Sequence, residues 1–232
     1  MVVTGWPRAD LDAVDALAEL GVGTVHEAIG RSGYLGTGIR PAWPGIRVGG
    51  TAVTALCWPG DNLMIHAAVE QCQPGDLLVV TTTSPSTDGA FGELLATSLA
   101  HRGVRGLVTT GGVRDVAKLQ VMGFPVFSAA ICAQGTVKST AGAVNVPVSI
   151  SGQLVAPGDA VIADDDGVVV VPRPAVTGAV AAATARVTKE AATRAALNAG
   201  ELGLDRYGLR TVLAGQGVEY LDYESYLSKM AE

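Results

Sequence analysis

Two short apolar runs, residues 77–80 and 106–110, constrain the fold of this 232-residue chain more than any other feature. Each is bounded by turn residues and followed by a segment with helical spacing, so each reads as a buried strand. Pro74-Gly75-Asp76 makes the turn before the first run, and a loop over 84–89 leads from it to a helix over 91–102. The second run is followed by Gly111-Gly112 and a helix over 115–122. Upstream, Leu11, Val14, Leu17 and Ala18 form a helical stripe over 10–20 that Gly21 closes. Thr24-Val25-His26-Glu27 reads as a capping box opening a second short helix. Residues 51–56 suit a strand, and 62–71 a helix.

From Pro125 the texture changes. Short β-prone runs (125–127, 136–137, 144–150, 160–163, 168–171) are separated by Gly, Asn and Asp turns, and a long Ala-rich helix over 174–199 follows, ended by Gly200. Alternating strands and helices, then clustered strands, predict a layered α/β domain over 1–173. Residues 174–232 are expected to form a C-terminal helical extension that docks on a neighbouring subunit.

Charge and cysteine usage narrow the function classes. Lys plus Arg total 16 against 22 Asp plus Glu, a formal net charge of −6, which argues against sequence-independent nucleic-acid binding. Charged residues are 16% of the chain and the mean hydropathy is +0.35, too apolar for a disordered segment. Every apolar run stops short of the roughly 18–20 residues a membrane helix needs, and the N-terminal stretch lacks the basic start of a signal peptide. Cys57, Cys72 and Cys132 are odd in number and widely spaced, as expected of free thiols in a cytosolic protein. The sparse surface charge points to subunit contacts.

The stretch from Asp88 to Asp115 is the richest in chemistry. Gly89 and Gly92 stand at the start of a helix, where the unpaired N–H groups at Glu93, Leu94 and Leu95 are suited to a carboxylate, although an ordinary loop-to-helix junction looks the same. Further on, a buried strand delivers Arg114-Asp115 at its carboxyl end, where open α/β sheets present ligand-binding groups. Arg114 is suited to clamp a carboxylate and Asp115 to bind a hard divalent cation; the competing reading has Asp115 capping the next helix. Asp164-Asp165-Asp166-Gly167 resembles a metal cluster, but the flanking strands favour a hairpin turn. His26, His66 and His101 are scattered and read as structural. Of four lysines, Lys118 is the sole candidate for a Schiff base.

The runs GDNLMIHAAVEQCQPGDLLVV, DGAFGELLATSLAHRGVRGLVTTGGVRD, MGFPVFS, AQGTVK, VNVPV and PGDAVIADDDGVVVVP, with AGELGLD in the tail, resemble one family over nearly the whole chain. It is the RraA-like family, and specifically the class II 4-hydroxy-4-methyl-2-oxoglutarate / 4-carboxy-4-hydroxy-2-oxoadipate aldolases. That family's signature is an acidic residue, twenty intervening residues and an Arg-Asp pair; Glu93 and Arg114-Asp115 match it, with Glu in the place of Asp. The resemblance implies a layered αββα, swivelling-domain-like core and a homotrimer or homohexamer. It implies Mg²⁺ or Mn²⁺ on Asp115, pyruvate held by Arg114 and by Gly92, Glu93, Leu94 and Leu95, and a substrate-side Asn62. It also implies Glu190 donated by the adjoining subunit, with Glu93 and Glu190 orienting water for proton transfer. The implied partner is a small oxo-acid, with neither nucleic acid nor membrane, in the cytoplasm.

Cleaving such an acid between C3 and C4 leaves pyruvate enolate, whose oxygen needs a positive partner as charge develops. Oxaloacetate decarboxylation yields the same enolate. A dedicated oxaloacetate decarboxylase and a non-catalytic regulator of ribonuclease activity, which the same family contains, are the alternatives.

Overall fold

A computed structural model describes residues 1–231 as two compact units, Met1–Val187 and the residues from Thr188 onward. The first unit runs α1 (Leu11–Leu20), α2 (Val22–Ala28), β1 (Arg40–Pro41), β2 (Val48–Cys57), α3 (Leu63–Gln71), β3 (Asp76–Thr82), β4 (Gly89–Phe91) and α4 (Glu93–His101). It continues with β5 (Gly106–Val113), α5 (Val116–Met122), β6 (Val126–Ile131), β7 (Ala143–Val144), β8 (Val148–Ile150), β9 (Gln153–Val155), β10 (Ala160–Asp164) and β11 (Gly167–Val171). The helix α6 (Val176–Asn198) begins in the first unit and ends in the second, which adds α7 (Gly203–Arg206), α8 (Leu209–Gly215) and α9 (Tyr223–Met230).

The main sheet has the order β1-β6-β5-β3-β2-β10-β11, with β4 beside β5 and β7 beside β2. Its centre, β2-β3-β5-β6, is parallel, so each step needs a crossover; α3, α4 and α5 supply them. The sheet curls until its ends nearly meet. Arg40 and Pro41 pair with β6, while on β11 Val168 O accepts from the Leu35 N–H and the Val170 N–H donates to Gly33 O.

Strand alternation then sorts the core into layers. On β3, Leu77 and Val79 face an interior shared with Leu35, Val108 and Phe127, whereas Leu78 and Val80 pack with Ile65 of α3 and Leu99 of α4. On β11, Val168 and Val170 join the interior, and Val169 and Val171 pack with Val14 and Leu17 of α1 and Val25 of α2. Helix, strand, strand, helix is the expected layered αββα core. The turn before β3 is pinned by Asp76, fully buried, which accepts from Arg8 Nε and Nη2 at 2.7 and 2.8 Å and from the Gln73 N–H at 2.7 Å. A buried carboxylate persists only when satisfied in this way.

Some local expectations fail for identifiable reasons. The Thr24 capping box does not form: α2 starts at Val22, whose N–H donates to Asp164 Oδ2 at 2.8 Å, an acceptor 142 residues away. Residues 89–91 form β4 because they pair with β5, so the helix expected from 91 begins only at Glu93. Asp164 and Gly167 face each other across the β10–β11 hairpin, so the acidic run is a turn. Two of its carboxylates are spent on backbone donors, Asp164 on the Val22 N–H and Asp165 on the Gly45 N–H. Cys57 and Cys72 are buried and Cys132 half-buried, all free; burial pushes the first two thiols up to about 12. Among the described residues no helix is long and apolar enough to cross a membrane.

Candidate active site

The parallel pairing of β4 with β5, Gly89 opposite Gly112 and Phe91 opposite Val113, lays residues 89–92 beside 112–115. The approach is close: a Cβ on Gly112 would lie 2.0 Å from Thr87 O. The Arg114 N–H donates to Phe91 O at 2.9 Å, so the head of α4 meets the end of β5.

Asp115 occupies the N-cap position of α5 but does not act as its cap. Its φ is +58°, in the left-handed region, and its side chain makes no hydrogen bond to α5. Caps ordinarily have extended backbone and a side chain turned onto the helix. Here Asp115 Oδ2 instead accepts from the Glu93 N–H at 3.2 Å, across to α4. A residue held in αL without glycine's freedom is strained, and such strain concentrates at functional positions. The Arg114 guanidinium, half exposed, lies 3.8 Å from Asp115 Oδ2 and, among the described residues, makes no hydrogen bond. Gly92 is the cradle for both: a Cβ there would sit 2.4 Å from Asp115 Oδ2 and 3.0 Å from Arg114 Cγ.

Arg114, Asp115, Gly92, Leu94, Leu95 and Asn62 all line one cavity of about 110 Å³. Of the expected GELL contacts, Glu93 is the exception. Its side chain turns aside, with Oε2 4.0 Å from Lys118 Nζ and Oε1 accepting from Thr97 Oγ1, while its N–H is taken by Asp115. Lys118 is 68% exposed, which removes it as a buried Schiff-base lysine. Glu190 lies on the part of α6 that belongs to the second unit.

The cavity also holds two residues that sequence reasoning missed, His66 and Lys138. His66, read as structural, is one turn after Asn62 on the same side of α3, and that spacing was the available signal. Burial, and secondarily the Lys138 charge, hold its imidazole below the ordinary value, which favours its neutral form. Lys138 is brought in by Asp61, which accepts from the N–H groups of Leu63 (2.8 Å), Ser139 (2.8 Å) and Thr140 (2.7 Å). The Asn62 N–H adds a bond to Val137 O at 3.0 Å.

Burial pushes the Asp61 carboxyl up, but those N–H donors and the Ser139 hydroxyl outweigh it and bring it down to about 2. The unfolded chain titrates near 3.9, so this stabilisation is complete above about pH 4 and is lost as pH falls through the folded value. Asp61→Asn is therefore expected to unfold more easily in urea at pH 6. Its difference from wild type should shrink between about pH 4 and pH 2. A difference that stays constant over that window would show that the Asp61 charge does not hold the 137–140 loop.

The arrangement is suited to bind a small carboxylate. Arg114 and Lys138 supply positive charge, Leu94 and Leu95 an apolar wall, and Asp115 and Asn62 oxygen donors. Among the described residues no three His, Cys, Asp or Glu side chains converge as a metal cage. One half-exposed carboxylate fits a hard divalent cation that keeps most of its water, and does not fit a soft or fully caged metal.

The layered fold, with its site where β4 and β5 end, defines an RraA-like protein. Residues 12–170 match the RraA-like family, described as Aldolase/RraA, and the chain belongs to that family. The crystal structure of Streptomyces coelicolor RraAS2, described as an unusual member of the RNase ES inhibitor RraA protein family, superimposes with a TM-score of 0.72. It is 32% identical, over 82% of this chain and 99% of that one. A protein of Halalkalibacterium halodurans named "Putative 4-hydroxy-4-methyl-2-oxoglutarate aldolase" is 29% identical over 41% of this chain and 46% of its own length. One of the same name from Stutzerimonas stutzeri is 39% identical over 36% and 51%. The chain thus spans about half the length of these curated relatives.

Proposed function

We propose that this protein is a divalent-metal-dependent carbon–carbon lyase. It cleaves 4-hydroxy-4-methyl-2-oxoglutarate or 4-carboxy-4-hydroxy-2-oxoadipate to pyruvate and a second oxo-acid, and decarboxylates oxaloacetate at the same site. The observation that carries this reading is Asp115: it gives up the capping of its own helix and sits strained in a small cavity beside Arg114, whose guanidinium makes no hydrogen bond among the described residues. The names of the curated relatives point the same way.

Asp115 would hold the cation, which when bound supplies Lewis acidity toward the substrate's keto oxygen. Arg114 offers a planar fork to the pyruvate carboxylate and positive charge to the enolate oxygen. Lys138 balances a second carboxylate, and Leu94 and Leu95 give the cavity its apolar side. Glu93, tied to Lys118, acts at the edge of the site by orienting water. Pyruvate release should disappear on adding chelator and return with Mg²⁺ or Mn²⁺. Borohydride added with substrate should leave every lysine unmodified, and a borohydride adduct would overturn the mechanism.

The reading extends to a homotrimer or homohexamer in which Glu190 reaches a neighbour's site. The helices α7, α8 and α9 bury no residue of their own, although Tyr207, Val212, Tyr223 and Leu227 are apolar and exposed in the single chain. Co-refolding inactive Asp115→Ala with inactive Glu190→Ala chains should regenerate activity in mixed oligomers. Mixed oligomers that stay inactive, or a fully active Glu190→Ala, would refute the shared site. The likeness to RraAS2 favours a second reading, regulation of a ribonuclease by protein contact. Activity that vanishes with Arg114 and Asp115 separates the two.

A further inference from the structure

His66 lies on α3 and lines the cavity with Arg114, Asp115 and Lys138. Among the described residues neither of its ring nitrogens makes a hydrogen bond, so both are open to a ligand. The Lys138 charge acts on the imidazole, which makes the two neighbours on this side of the cavity. A neutral imidazole keeps an acceptor on one ring nitrogen and a proton on the other. Among the described residues the cavity offers no second group of that kind. Arg114 and Lys138 are cations whose nitrogens only donate, and the Asn62 amide does not take up a proton. Asp115 accepts from the Glu93 N–H and is the residue that would hold the cation. The Glu93 carboxylate turns out of the cavity toward Lys118 and Thr97.

Resting on the lyase reading above, we propose that His66 is a catalytic base that takes the C4 hydroxyl proton of a 4-hydroxy-2-oxo acid as the C3–C4 bond breaks. The chemistry of the substrate points to this position. C4 of 4-hydroxy-4-methyl-2-oxoglutarate carries both the hydroxyl and the second carboxylate. A carboxylate held by Lys138 therefore brings the hydroxyl beside the neighbour of Lys138, while Arg114 holds the pyruvate half at the other end.

In the step the O–H bond breaks and its proton forms an N–H bond on the imidazole. The electron pair left on oxygen closes the C4 carbonyl of the second product, and the C3–C4 pair passes to the pyruvate half as its enolate. C3 then takes a proton from water, and the imidazolium returns its proton to the hydroxide left behind. Oxaloacetate decarboxylation reaches the same enolate by losing C4 as carbon dioxide, with no hydroxyl proton to remove. His66 thus serves cleavage and not decarboxylation.

The test compares His66→Ala with wild type, both with Mg²⁺, in 4-hydroxy-4-methyl-2-oxoglutarate cleavage and in oxaloacetate decarboxylation. His66 is exposed and alanine suits a helix, so the variant is expected to fold; should it not, His66→Gln takes its place. The kcat for cleavage should fall about 100-fold or more and that for decarboxylation by less than about threefold, the retained reaction serving as the check on folding. Added imidazole should raise cleavage by His66→Ala about tenfold, a rescue that a structural role would not give. A parallel fall of both reactions, cleavage within about threefold of wild type, or a loss that imidazole leaves untouched would place the base elsewhere and overturn this inference alone. A wild type that decarboxylates without cleaving removes the inference and leaves the enolate chemistry standing. One that does neither overturns the lyase reading and this inference with it.

Discussion

Replacing Arg114 by lysine is expected to lower kcat for pyruvate release by about two orders of magnitude or more, on hydroxy-oxo-acid and oxaloacetate alike. The substitution keeps the positive charge and loses the planar fork. The guanidinium lies 3.8 Å from Asp115 and makes no hydrogen bond among the described residues, so its donors are available to a ligand. Lysine presents one mobile ammonium and cannot hold a carboxylate in two-point contact while facing a developing enolate oxygen. Because the side chain is half exposed, thermal stability should be nearly unchanged. Steady-state kinetics with both substrates, beside a melting curve, decide the matter. A variant with near-normal kcat would show that the fork has no role in the transition state.

Gly92→Ala is expected to do comparable damage through geometry alone. Gly92 has φ −161° and ψ −167°, extended backbone that alanine adopts without strain. The added methyl would nevertheless fall 2.4 Å from Asp115 Oδ2 and 3.0 Å from Arg114 Cγ. Both are parts of movable side chains, so the fold can yield by turning Asp115 and Arg114 out of place, at a cost of about 1 kcal/mol in stability. Activity should fall about 100-fold or more, since displacing reacting groups by an ångström is enough for that. Full activity in Gly92→Ala would mean that the positions of Asp115 and Arg114 do not matter to the reaction.

The framework was legible where the pattern is local. The stripe on α1 is closed by Gly21, whose N–H bonds back to Ala18 and Leu17, and the buried runs became β3 and β5. What escaped depends on partners far along the chain. The start of α2 is set by Asp164, and β4, only three residues long, exists because β5 lies beside it. The site divides in the same way. Gly92, Leu94, Leu95, Arg114 and Asp115 sit in two segments that the sheet brings together, and Asn62 was named with them. Lys138 was not, because Asp61 draws it in through bonds that span 78 and 79 residues. The side chain of Glu93 shows the opposite limit: its longer arm reaches Lys118 and Thr97, a choice that spacing alone does not reveal.

The central claim is that the cavity bounded by Asn62, Arg114 and Asp115 generates pyruvate enolate. Proton NMR in D₂O tests it without either aldol substrate, because an enolate that forms from pyruvate and reprotonates exchanges the methyl hydrogens for deuterium. With wild-type protein and Mg²⁺ the methyl signal of pyruvate should decay at a catalysed rate. That decay should fall to the background of Mg²⁺ alone when chelator is added or when Arg114→Lys replaces the wild type. A methyl signal that decays no faster with the wild-type protein than with Mg²⁺ alone would contradict the assignment of this cavity.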